Sequence, residues 1–173
     1  MNAIRRPSFV ELVNLLHLES LPVEGGLFVQ TWRSTNGDEI LGSATIAAFT
    51  GEPDSFSAMH RLPVDELWHF YLGDPIELVL LHRDGSASTP RLGHDVLGGE
   101  LVQFAVPAGT WMGAALVPGG QWALFGNTMA PGFRSEFYEG GGTDELTAGW
   151  PSAASHIGRL TRRGGATRMP EGL

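Results

Sequence analysis

The spacing of apolar positions along the chain changes once. From Ser8 to Leu18, the residues Phe9, Val10, Leu12, Val13, Leu15, Leu16 and Leu18 recur at intervals of three and four, the repeat of one helix face. Ser8 stands three residues before Glu11, the spacing at which a hydroxyl and a carboxylate cap each other's backbone N–H groups. The pattern predicts an amphipathic helix over residues 8–18. Beyond Pro22 the apolar runs become short and are bounded by turn residues. They predict strands at Leu27–Arg33, Ser43–Thr50, Ser57–Arg61, Glu66–Leu72, Ile76–His82, Leu101–Val106, Trp111–Val117 and Gln121–Met129. About eight strands with no helices between them predict an all-β single domain of sandwich or jelly-roll type, preceded by a short N-terminal helix.

Composition narrows the chemistry more than the fold. The chain has 173 residues, 24 glycines and 11 prolines, which suits one domain rich in turns. All 11 basic residues are arginine, and cysteine is absent. A lysine Schiff base, a phosphate-binding lysine, a catalytic thiol, a disulfide and a cysteine zinc site are thereby excluded. Chemistry falls to His, Asp, Glu, Tyr, Ser, Thr or Arg. The net charge of -8 argues against nucleic acid as a partner, because phosphate binding needs a concentrated basic face.

That charge is uneven. Residues 1–150 hold 18 acids and 7 arginines, whereas residues 151–173 hold Arg159, Arg162, Arg163 and Arg168 against Glu171. The organisation predicted is a helical segment at 1–19, a β-domain at 20–146 and a basic, flexible tail at 147–173, a mobile tail being favoured over an arm lying on an acidic neighbour. No signal peptide or membrane span is read near the start, so a cytoplasmic protein without a membrane partner is expected.

Residues 57–74 carry the densest chemistry. Two strands joined by a Pro-containing turn place His60, Asp65, Glu66, Trp68 and His69 close together in the chain. Period-two alternation puts Glu66, Trp68, Phe70 and Leu72 on one face and Leu67, His69 and Tyr71 on the other. If the face with Trp68 and Phe70 is buried, Glu66 is buried too and needs a partner or a ligand. His69, on the opposite face, is expected to pack against a neighbouring sheet or an interface.

These residues resemble a family. Glu66, six intervening residues and Gly73 resemble the end of the first cupin motif, and Pro107, Gly109 and the two residues beyond resemble the core of the second. The chain is more narrowly similar to the DUF985 (cupin-5) branch over about residues 9–139. The matching runs are Glu24–Phe28, His60–Leu62, Asp65–Phe70, Gly73–Pro75, Leu92–Gly93, Val106–Trp111 and Ala130–Phe133. The resemblance implies a cupin jelly-roll β-barrel with a central pocket for a small molecule and a homodimeric assembly.

Departures from the family's metal pattern matter as much. The first cupin histidine falls on His60, but the second falls on Leu62, and the histidine of the second motif falls on Met112. Two of four usual ligand positions survive, where a stable site wants at least three protein ligands. No cofactor is therefore expected; a divalent metal, if bound, would use His60, Glu66 and a third residue such as Gln103 or another histidine.

Without a metal, His60 and Glu66 remain a catalytic pair for proton transfer, with Glu66 holding one imidazole tautomer. Three readings follow: an isomerase, epimerase or lyase acting on a carbonyl- or carboxylate-containing metabolite, a metal-dependent oxygenase or decarboxylase, and a non-catalytic metabolite-binding protein. Trp68, Phe70, Met112 and Phe28 are expected to wall the pocket, with Gln103, Arg33 and Tyr138 as polar contacts. Trp111 should face outward if Met112 faces inward, and Phe133 is expected to plug one end. Glu24 is read as a cap or salt bridge more readily than as a ligand contact.

Overall fold

The computed structural model describes Arg5 and residues 7–171. In chain order the elements are α1 (Phe9–Leu16), β1 (Glu19–Ser20), β2 (Leu27–Asn36), β3 (Glu39–Thr50), β4 (Phe56–Arg61), β5 (Glu66–Gly73), β6 (Ile76–Leu81), β7 (Ala87–Ser88), β8 (Arg91–Leu92), β9 (Gln103–Val106), β10 (Trp111–Leu116), β11 (Trp122–Met129), β12 (Glu139–Gly140), α2 (Thr143–Gly149) and α3 (Ala154–Arg159). All eight predicted strands are present with ends shifted by a few residues.

Helix α1 begins as its sequence dictates. Ser8 Oγ accepts from the Glu11 N–H, and Glu11 Oε2 accepts from the Ser8 N–H at 2.9 Å. It ends at His17, whose left-handed backbone (φ 54°) stops the helix short of the predicted Leu18. Leu12 and Leu18 pack with Trp122 and Leu124 on the outer side of one sheet.

Two antiparallel sheets face each other. The front sheet has the order β1-β2-β3-β11-β5-β9 and the back sheet β12-β4-β10-β6-β7, with β8 also on β6. Phe49, Trp68 and Phe125 from the front meet Ile76, Leu78 and Met112 from the back in one core. Trp68 stacks on Phe125 with centroids 5.1 Å apart. The expected barrel is not closed: among the described residues no ladder joins one sheet to the other. Strands β1, β7, β8 and β12 at the margins are two residues long, and β9, the other edge of the front sheet, only four.

The back sheet is buried on both sides. Every residue of β6, Ile-Glu-Leu-Val-Leu-Leu, is buried, the nearly unbroken apolar run typical of a strand covered on two faces. Val79, Leu81 and Trp111 on its outer side pack against Leu146, Ile157 and Leu160. Trp111 thus faces outward and Met112 inward, as alternation predicted. The segment expected as a flexible basic tail instead supplies α3 and two fully buried side chains, Ile157 and Leu160. Each is worth roughly 1.5–3 kcal/mol of burial, enough to order so short a helix against the sheet. The outward-facing Glu77 of β6 is covered in the same place. Arg159 Nη2 donates to its Oε1 at 2.8 Å, and Arg91 lies 3.6 Å from Oε2. No helix among the described residues is long and apolar enough to cross a membrane.

Candidate functional site

β5 sets the site by its pleat. Glu66, Trp68 and Phe70 are buried, while Leu67 and His69 are half-buried and Tyr71 is exposed. The alternation fails at its end, because β5 carries an extra residue, Tyr71, opposite the step from Phe125 to Leu124. This bulge turns Leu72 outward, where the strict period had placed it inside. Gly73 follows with φ 102°, and any side chain there would strike the Trp122 backbone. The motif glycine is required by this turn.

Cross-strand register then assembles a polar floor on the front sheet. One rung runs Gln30, Thr45, Asn127, Trp68; the next runs Ser43, Met129, Glu66. His60 of β4 and Leu62 just after it enter from the back sheet, and Glu24 enters from the turn before β2. All of these except Trp68 line a cavity of about 80 Å³, with Phe28, Phe133 and Met169 among its apolar walls.

His60 and Glu66 share this cavity but do not bond to each other. His60 Nδ1 lies 2.8 Å from the Ala58 carbonyl, which can only accept, so the neutral ring carries its proton on Nδ1 and keeps a lone pair on Nε2. The tautomer is held by the main chain, not by Glu66 as the sequence suggested. Glu66 Oε2 instead accepts from Trp68 Nε1 at 2.8 Å. Burial pushes the Glu66 carboxyl up to about 8; the charge of Glu24 adds to this and the Trp68 N–H opposes it. At neutral pH Glu66 is a proton donor.

Glu24 is held by a clamp from the C-terminal segment. Its Oε1 accepts from Ser57 Oγ at 2.7 Å. Its carbonyl accepts from Arg162 Nη1 at 2.9 Å, while Arg162 Nη2 donates to the Asp54 carbonyl and the guanidinium lies 4.0 Å from the centre of the Phe56 ring. Gly25 (φ 102°) makes room for this guanidinium, which any side chain would strike.

The other predicted residues divide. Phe28 lines the cavity. Trp68 touches the site through its N–H while its ring belongs to the core, and Phe70 packs in the core edge-on to His94. Met112 is paired with His60 across β10 and β4, behind the cavity rather than on its wall. Tyr138 is buried and stacked on the His60 ring at 4.9 Å, with burial holding its phenol well above its usual range. Gln103 is misplaced by the sequence pattern: β9 pairs it with His69, and its amide donates to His69 Nδ1 on the outer face. Arg33 is exposed and does not line the cavity, since β2 holds an extra residue between Gln30 and Trp32 that breaks its alternation.

Sequence reasoning missed Asn127, whose Nδ2 is buried without a partner among the described residues, as well as Gln30, Ser43, Thr45 and Met169. Asn127 left a trace, being an amide on a strand face whose other residues, Ala123, Phe125 and Met129, are apolar. Met169 and Arg162 left none, because nothing local says where a terminal segment docks. Among the described residues no three His, Asp or Glu side chains converge as metal ligands. Of the four motif positions only His60 and Glu66 carry donors, since Leu62 and Met112 occupy the other two, and Gln103 lies on the far face.

Residues 10–140 match the family described as Cupin superfamily (DUF985). A crystal structure of a protein from Shewanella oneidensis is similar at 28% identity, with TM-score 0.82 over 91% of this chain and 99% of that one. A hypothetical protein from Leishmania major is similar at 22% identity and TM-score 0.79, covering 91% of this chain and 100% of that one. Oxalate decarboxylase from Bacillus subtilis shares the fold alone, at 12% identity and TM-score 0.54 over 91% of this chain and 39% of that one. No curated protein matches the chain. The two facing antiparallel sheets, the Glu66–Gly73 motif whose glutamate lines the cavity and the match over residues 10–140 together assign this chain to the DUF985 family of the cupin superfamily.

Proposed function

We propose that the cavity belongs to a metal-independent enzyme of the isomerase, epimerase or lyase type, which moves protons on a small carbonyl compound. The observation that carries this reading is the division of labour between His60 and Glu66. Each gives one polar atom to a partner in the chain and keeps another for a ligand: His60 keeps Nε2, and Glu66 keeps Oε1. One is an acceptor and the other, protonated at neutral pH, a donor.

In such a step His60 Nε2 takes a proton from the carbon next to the carbonyl. Glu66 gives its proton to the carbonyl oxygen, so the substrate becomes an enol with no net change of charge. The imidazolium formed remains hydrogen-bonded to the Ala58 carbonyl, and Tyr138 stacked behind it fixes the ring plane. Return of the protons to the same carbon, its other face or the neighbouring carbon gives exchange, epimerisation or isomerisation.

The test is deuterium uptake from D2O at the carbon adjacent to the carbonyl, followed by NMR over a panel of small carbonyl compounds. His60→Gln and Glu66→Gln should each lower the rate by about 10²–10⁴-fold with an unchanged circular dichroism spectrum. The rate should also fall above about pH 8, as Glu66 loses its proton. Activity abolished by a chelator and restored by a divalent cation would select the metal-dependent oxygenase or decarboxylase reading. Binding with no exchange would select the non-catalytic one.

A further inference from the structure

We infer that the cavity selects an uncharged hydroxycarbonyl compound and rejects carboxylates, an inference that takes the cavity to be the substrate site named above. Its polar lining consists of the Glu24 and Glu66 side chains, the His60 ring, the Gln30 and Asn127 amides and the Ser43 and Thr45 hydroxyls. Among the described residues no arginine lines it, and the chain has no lysine. Arg162, which clamps the Glu24 turn, gives its guanidinium to the Val23, Glu24 and Asp54 carbonyls and the Phe56 ring. An anionic ligand would enter a space of about 80 Å³ that already holds the Glu24 carboxylate and has no arginine or lysine in its lining to offset either charge.

The unmet hydrogen-bonding capacity has a pattern. Asn127 Nδ2 is a buried donor with no acceptor among the described residues, and a buried donor left without a partner costs stability. It calls for an oxygen that accepts. Glu24 uses Oε1 for Ser57 and keeps Oε2 as an acceptor, which calls for a hydroxyl that donates. A carbonyl oxygen and a neighbouring hydroxyl on one small molecule satisfy both. A carboxylate group offers acceptors alone, so it could meet Asn127 while repelling Glu24.

Three probes of nearly the same skeleton decide the point: hydroxyacetone, lactate and 1-amino-2-propanol, titrated into the full chain at pH 7 and followed by ligand-observed NMR. Hydroxyacetone should bind at least about tenfold more tightly than lactate. Glu24→Gln, which keeps an acceptor for Ser57 but removes the charge, should shrink that gap mainly by strengthening lactate. Asn127→Val should weaken hydroxyacetone by about 3–10-fold. Lactate or the amine binding as tightly as hydroxyacetone to the unaltered chain would overturn the inference, as would binding of none of the three. The order of affinities on the unaltered chain decides the matter even if a variant does not fold. The predicted order without deuterium uptake would sink the proton-transfer reading alone; uptake with the order reversed would sink the selectivity alone.

Discussion

Two carboxylates in this protein are buried to the same extent, each 8% exposed, and the fold treats them in opposite ways. Glu77 lies on the outer side of β6 beneath α3, where Arg159 donates to it at 2.8 Å and Arg91 stands 3.6 Å away. Glu66 lies inside, with an indole N–H as its partner, another carboxylate nearby and no cation among the described residues lining its cavity. The first is the usual answer to a buried charge, which is tolerated when paired. The second leaves the carboxyl neutral at pH 7, at a cost to stability at higher pH that packing could have avoided. Such an arrangement is expected at a site whose chemistry needs a proton donor.

The contrast can be broken by making the same substitution at both positions. Glu66→Gln should stabilise the fold, because a carboxyl whose folded value is raised to about 8 destabilises the folded state as pH climbs from its unfolded value through 8. The gain should be on the order of 2–4 kcal/mol at pH 8 and shrink towards zero near pH 4–5. Urea denaturation at several pH values measures it, and parallel curves for variant and parent would contradict the buried neutral carboxyl. Glu77→Gln should act with the opposite sign, losing about 1–2 kcal/mol as the charge-assisted bond from half-exposed Arg159 weakens. Arg162→Met should cost about 1 kcal/mol or less in stability but more in turnover, since it frees the Glu24 turn; equal effects on both would mean that the clamp is merely structural. Smallest of all, Gln103→Ala on the outer face should leave the deuterium-uptake rate unchanged within about twofold and stability within about 0.5 kcal/mol. A large loss of rate there would mean that the outer face of β5 participates after all.

Legibility followed distance along the chain. The capping box of α1, the faces of β5, and the opposed directions of Trp111 and Met112 are set by neighbours a few residues apart, so periodicity found them. The family motifs brought His60 and Glu66 to one cavity, although each residue was assigned the wrong partner. The bulges at Tyr71 and in β2 escaped, because an extra residue is visible only against the strand it faces. That is why Leu72 and Arg33 were misjudged. The C-terminal segment follows the same logic: its arginines resemble a solvated tail unless Glu77 is known to lie beneath Arg159 and the Glu24 turn beneath Arg162.

By itself, then, the sequence determined which chemistry is possible and where the eight longer strands lie, but not the four two-residue ones. Removing lysine and cysteine leaves histidine and carboxylates, and local alternation buries Glu66 whatever surrounds it. Only the tertiary structure decided what that burial means. Hydrogen bonds are made to whichever group lies within about 3 Å, and the groups that matter come from the backbone, from the same face of one strand or from far along the chain. The Ala58 carbonyl accepts the His60 proton, Trp68 donates to Glu66, Arg162 fixes the Glu24 turn, and Asn127 is left with a donor to offer.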